Sequence, residues 1–323
     1  MRFALEPARP AAFPAQHPRL RYRAFGLEIE SDVELLGMPR SRRVERGPSV
    51  RLELTSAATV DARFSGPPSE PVWETTIDGH SYRMERGDSG DHRLTWTGGA
   101  SFLLSADGRS ILCAPAVAAA APWQRLLLDT VLWTASLLRG SELLHASAVL
   151  GPRGVFAFLA RSGHGKSSIA WELVRRGRPL FCDDILALRH AGGAVRAHPG
   201  PPLMTLDART KPALPARVVA DLGAELWTAV PGTSEPARLA AVVLLERRSD
   251  LERALVPVEP TALTLLPHSL GFPHLAGRNA ARFRLLGDVA LGVPVYRLSA
   301  DLGASPGELA DLVEHTLAPG TAS

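Results

Sequence analysis

Lys166 stands where a compact positive charge can do chemistry. Among 36 Lys+Arg residues the only lysines are Lys166 and Lys211. A chain that otherwise writes arginine has placed a point charge, not a planar fork, at this position. Upstream lies an apolar run, Val155 to Leu159, with the length of a buried strand. A polar, glycine-bearing turn from Ala160 to Gly165 follows. Lys166, Ser167 and Ser168 then open a segment whose Ile169, Leu173 and Val174 recur at helical spacing. Strand, glycine loop, Lys-Ser and helix is the order that builds a phosphate-binding P-loop. Ser162, Gly163, His164 and Gly165 supply a backbone free to turn its N–H groups inward, and the helix start adds unpaired N–H groups. Lys166 is expected to reach the β/γ-phosphates of ATP, Ser167 to hold Mg²⁺, and Ser168 to complete the cradle. Ala160 stands where the pattern has its first glycine, which a residue with negative φ tolerates. The plainer alternative is a glycine turn between a core strand and a helix.

Asp183-Asp184 interrupts the apolar run Leu180 to Leu188. Two adjacent carboxylates are costly to bury without compensation. Strand neighbours point to opposite faces, so both reach one site only if the strand ends or bulges there. A cation near Ser167 would compensate one acid, and the other could accept a proton from an attacking hydroxyl. Alone the pair reads as a turn at a strand end; one helix downstream of the loop it reads as functional. His145 sits in an apolar strand, where a histidine is more often a core residue than a catalyst. Arg161 faces phosphate or solvent, and Arg278, Arg282 and Arg284 form a cluster suited to a triphosphate, an acidic peptide or solvent.

The elements that must position these residues follow in order. Residues 1–19, rich in Pro, Ala and Arg, read as a loose tail. From 20 to 115, short alternating runs such as Val50–Leu54, His92–Trp96 and Ala100–Leu104 are separated by Asp78-Gly79, Gly98-Gly99 and Asp107-Gly108. That pattern predicts an N-terminal antiparallel β domain. After an alanine run (Ala118–Ala121), residues from Pro122 to Leu138 carry helical spacing, a connecting helix within 116–140. The remainder, 141–319, predicts an α/β domain. Its strands are expected at Leu143–Leu150, Val155–Leu159, Leu180–Leu188, Ala194–Ala197, Leu239–Leu245 and Pro294–Leu298, with a terminal helix from Pro306 to Leu317.

The chain has 323 residues, 46% hydrophobic and 21% charged, enough for two domains with a sizeable core. A net charge of +3 is weak support for nucleic acid as a partner. Two cysteines, Cys113 and Cys182, make neither a disulfide framework nor a metal spacing, and fit a reducing cytoplasm. No apolar run has the length to span a bilayer, so no membrane partner is expected. The start, broken by Glu6, Arg9 and prolines, does not read as a signal peptide.

Leu144-His-Ala-Ser-Ala148, the glycine turn, Ser162-Gly-His-Gly-Lys-Ser167, the helix ending in Arg-Arg-Gly177, and Leu180-Phe-Cys-Asp-Asp184 together resemble the catalytic domain of HPr serine kinase/phosphorylase. The resemblance covers roughly 143–188. It implies an α/β fold with a P-loop kinase core of the HPr kinase/phosphoenolpyruvate carboxykinase type. Tyr22-Arg-Ala-Phe-Gly-Leu27, Ser31-Asp32 and Pro294-Val-Tyr-Arg-Leu298 resemble a branch found in ribosomal-peptide biosynthesis, some members being lasso-peptide kinases. By this resemblance Lys166 and Ser167 take ATP and Mg²⁺, Asp183 is the general base, Asp184 the metal-side acid, and His145 a supporting residue. The implied activity is transfer of the γ-phosphoryl group to a hydroxyl of a peptide or small protein, with a homo-oligomer as the implied assembly. The N-terminal β region does not resemble that enzyme's regulatory domain, so HPr as acceptor and phosphorylase activity do not follow. A small-metabolite kinase and a nucleotide-responsive peptide-binding module are the other readings open at this point.

Overall fold

The structure, a computed structural model, describes residues 19–41, 49–66, 71–77, 79–117, 121–209 and 216–317. All but Arg19 of the tail expected over 1–19, most of the alanine run, Asp78 and Lys211 lie outside the described residues. The protein is mixed α/β, with several sheets and few helices.

The N-terminal strands are β1 (Leu20–Ala24), β2 (Leu27–Ser31), β3 (Ser49–Leu54), β4 (Pro71–Ile77), β5 (His80–Arg86), β6 (His92–Trp96), β7 (Ala100–Leu104) and β8 (Ser110–Pro115). They form one sheet in the order β1-β2-β3-β8-β7-β6-β5-β4, with a short helix α1 (Ala57–Arg63) between β3 and β4. The expected all-antiparallel pairing is corrected here: β3 runs parallel to both β2 and β8. Long connections on either side of β3 make it a crossover strand, whereas β4 to β8 follow one another through short turns.

The connector is not one regular helix. α2 (Ala121–Leu126) passes through a π turn, Leu127–Val131, into α3 (Leu132–Leu138). Hydrophobic spacing alone does not separate this from a continuous helix, because Trp123, Leu127, Leu128, Val131, Leu132 and Ala135 are buried either way. A π turn inserts one residue into the helical frame and is frequent at functional sites.

The C-terminal strands are β9 (Glu142–Gly151), β10 (Gly154–Leu159), β11 (Leu180–Cys182), β12 (Ile185–Ala191), β13 (Ala194–His198), β14 (Leu203–Asp207), β15 (Arg217–Asp221), β16 (Glu225–Ala229), β17 (Ala237–Arg247), β18 (Ala254–Val258), β19 (Ser269–Leu270) and β20 (Val295–Ala300). The helices are α4 (Lys166–Arg175), α5 (Ala262–Leu265), α6 (Asn279–Gly292) and α7 (Pro306–Leu317). A nine-stranded sheet has seven strands in the order β10-β9-β12-β13-β17-β20-β18, with β11 and β19 added alongside β9, and β10 pairs with β17 as well. β10, β17 and β20 are mutually parallel, so their carboxyl ends share one edge. Ligands of α/β sheets gather outside such ends. β14, β16 and β15 form a separate small sheet.

α4 buries Ile169, Ala170, Leu173 and Val174 in a core shared with Val149, Phe158 and Val243. It stops at Gly177, φ +90, where Gly177 N–H donates to Val174 O and Arg178 N–H to Leu173 O. That paired closure satisfies two of the helix's last carbonyls. A second core joins the halves of the chain: Tyr22, Leu52 and Phe102 share it with Leu128, Leu143, Ala187 and Trp227.

Candidate functional site

β9 sets the site, because its neighbours change midway. Ala146 to Gly151 pair with β10 on one side, and Val149 and Ala148 with β11 on the other. Glu142 to His145 pair with β12, while Leu143 and Leu144 pair with β19. At the changeover, the loop Ala160–Gly165 leaves the sheet at the end of β10. Across β9, the chain bulges between β11 and β12 at Asp183-Asp184. The run Leu180 to Leu188 is therefore two strands, and the break carries the acids. Asp184 has φ +65, a left-handed conformation rare for a residue with a side chain. Ala146 N–H donates to Asp184 O at 3.0 Å, and Ile185 N–H to Asp183 O at 2.8 Å, holding the bulge. Bulges re-aim side chains, and such backbone strain clusters at functional positions.

The two carboxylates meet alternate residues of β9. Ser147 Oγ donates to Asp183 Oδ1 at 2.7 Å and lies 3.2 Å from Ser167 Oγ. His145 Nε2 lies 4.0 Å from Asp184 Oδ1. Positions 145 and 147 share a strand face, so one face of β9 gathers both acids and the first turn of α4. Burial and the neighbouring Asp184 push the Asp183 carboxyl up to about 6, against hydrogen bonds from Ser147 and Ser167. Asp184 stays 64% exposed at its side chain. Burial, together with Lys166, lowers His145, while Asp184 pulls it back up.

Lys166 is 5% exposed. Its Nζ donates to Ala160 O at 3.3 Å and Arg161 O at 3.5 Å, folded onto the loop's own carbonyls. Desolvation lowers the ammonium, and the charges of Asp184 and Asp183 oppose that. Gly163 (φ +79) and Gly165 (φ +93) supply the turns of the loop, and Gly165 is the N-cap of α4. Ser162, Gly163 and Ser168 are exposed; His164 is half-buried, its N–H 3.3 Å from Arg161 O. Ala160 is buried and its carbonyl receives Lys166, so the side chain that replaces glycine packs into the core without closing the loop. The structure thus brings Lys166, Ser167, Asp183, Asp184 and His145 together.

The arginine cluster is placed otherwise. Arg278 Nη2 donates to Glu142 Oε1 at 2.5 Å, and Arg282 Nε to Glu142 Oε2 at 3.3 Å. Glu142 is 4% exposed. Two of the three arginines are thereby committed to neutralising a buried acid and are not a freely solvated face.

Three residues at the site carry no motif, and a fourth, Ser147, lies within Leu144-His-Ala-Ser-Ala148 without a role read from the sequence. Ser147 was within reach of strand periodicity, being two residues from His145. Asp129, on the π turn, is the one acid in Leu126-Leu-Leu-Asp-Thr-Val131; Arg125 Nε reaches it at 3.3 Å. Desolvation, with Asp184 and Asp183 adding to it, raises its carboxyl against the pull of Arg125, though a side chain 46% exposed lets water temper the shift. His268 precedes β19, whose register with β9 (Ser269 opposite Leu144), carried one residue on, sets it across from His145. Burial, then His145 and Lys166, lower its imidazole. Arg247 ends β17. Its Nη2 donates to Leu302 O and Ala304 O, both at 2.7 Å, and a methyl group on Gly165 would lie 3.5 Å from its Nη1.

No family model matches the chain, and no curated protein matches it. Among solved structures it is similar to the Hpr(Ser) kinase/phosphatase from Coxiella burnetii, with 12% identity and a TM-score of 0.31, over 54% of this chain and 95% of that one. No helix among the described residues is long and apolar enough to cross a membrane.

Proposed function

We propose that the protein is an ATP- and Mg²⁺-dependent kinase that transfers the γ-phosphoryl group to a serine hydroxyl of a peptide or small protein, ribosomally made precursor peptides among them. One observation carries the reading. The lysine and first turn of α4 face a bulged pair of aspartates across a single strand, joined through Ser147. Lys166 and the N–H groups of the loop and α4 bind the phosphates. His145 supports the acid pair from the same strand face.

The residues fit Mg²⁺. Ser167 offers a hydroxyl and Asp184 an exposed carboxylate, and no group of three or more His, Cys, Asp or Glu ligands stands ready among the described residues. Mg²⁺ is commonly held by one or two carboxylates with substrate phosphates and water, not by a protein cage. When bound it neutralises charge on the transferring phosphoryl group.

Asp183 is the general base. Its Oδ1 already accepts from one serine hydroxyl, that of Ser147, at 2.7 Å, the contact a general base makes to the proton it takes. The acceptor class follows from the sequence resemblance. The test is transfer of labelled phosphate from ATP to serine-containing peptides by the purified protein with Mg²⁺. Label on the peptide that disappears in Lys166→Ala supports the reading; undiminished transfer by that variant contradicts it.

A further inference from the structure

A cavity of about 400 Å³ opens beside the first turns of α4. Ser167 and Ser168 line its near end. Trp171 and Arg175 continue the same helix face, since positions 168, 171 and 175 stack at three- and four-residue spacing. Thr205 and Asp207 of β14 form the opposite wall, and Pro306 at the start of α7 helps close it. Its size falls within the range of small-molecule sites.

Resting on the kinase reading, we infer that this cavity receives the nucleoside of the phosphoryl donor, with its base stacked on Trp171. The γ end of the phosphate tail must lie toward Asp183 and Asp184. Ser167 faces them through Ser147, whereas Ser168 is exposed and turns to the cavity. A triphosphate crossing the N-terminus of α4 from the acids therefore delivers its α end to the cavity mouth.

The start of α7, which walls the cavity, follows β20, one of the three parallel strands. The segment after β20, through which Arg247 is held, leads directly into α7. Trp171 is anchored against the α4 core on one side and open on the other, as a stacking platform requires. Thr205 and Asp207 offer acceptors for ribose hydroxyls or base N–H groups. Arg209 already braces Asp207 through both carboxylate oxygens, at 2.9 and 2.6 Å.

Calorimetric titration with Mg·ATP and with Mg·tripolyphosphate, which lacks the nucleoside, tests this. Wild type is expected to prefer ATP, and Trp171→Ala to weaken ATP by about 5- to 100-fold, the scale of base–aromatic stacking. Tripolyphosphate affinity should stay unchanged in Trp171→Ala, and Trp171→Phe should keep most of the ATP preference. An unchanged ratio of ATP to tripolyphosphate affinity in Trp171→Ala would overturn the subsite while leaving the phosphate cradle standing. Failure of the wild-type protein to bind either ligand would overturn the cradle, and the subsite with it.

Discussion

The proposed function gives Lys166 and Asp183 separable jobs. Lys166→Ala removes the positive charge that the proposed kinase reading assigns to the phosphates and should lower phosphoryl transfer by about 10²- to 10³-fold, the usual cost of one electrostatic contact to a developing charge. Asp183→Asn keeps the bond from Ser147 but cannot take up a proton. Its turnover should fall about 10²- to 10⁴-fold, with ATP affinity within about two-fold of wild type by calorimetry. Equal loss of affinity and turnover would mean that Asp183 serves binding. These two residues are legible in the sequence because each sits in a contiguous pattern: strand, loop, Lys-Ser and helix for one, acids inside an apolar strand for the other. Arg247, His268 and Asp129 are not legible. Each is an ordinary residue that strand register and tertiary packing carry to the site.

At the scale of elements, the glycine loop and the β1–β2 hairpin both depend on left-handed backbone. Gly165 caps α4 at φ +93. A side chain in that region costs roughly 1–2 kcal/mol, while Arg247 Nη1, 3.5 Å from such a methyl group, stays at ordinary contact distance. Gly165→Ala should therefore weaken Mg·ATP by roughly ten-fold while leaving the far-ultraviolet circular dichroism spectrum unchanged; unaltered affinity would show that the loop does not shape the cradle. Secondary-structure spacing is readable where one period dominates, as in β10, α4 and β17. It fails at the connector, where a π turn keeps the same residues buried as a regular helix would. It also fails at β3, whose alternation says nothing about whether its neighbours run parallel.

At the scale of the molecule, the tip of the β1–β2 hairpin joins the two halves of the chain. Phe25 N–H donates to Pro199 O at 2.6 Å, Ser136 Oγ to Phe25 O at 2.6 Å, and Arg189 Nη1 to Gly26 O at 3.1 Å. His198 packs against Gly26, and burial, then Arg189, lowers its imidazole to about 4. A folded value below the unfolded value near 6.5 means that the unfolded chain binds the proton first. This contribution to stability is complete above about pH 6.5 and drains away toward pH 4. The urea midpoint should fall over that window, and His198→Gln should flatten the fall; an identical slope in the variant would remove His198 from the junction's pH response. The most direct check on the whole account is calorimetric titration of Mg·ATP into the wild-type protein and Lys166→Ala. Saturable one-site binding that weakens at least about ten-fold in the variant is expected. No binding to wild type, or equal affinity in both, would contradict a nucleotide cradle at the start of α4.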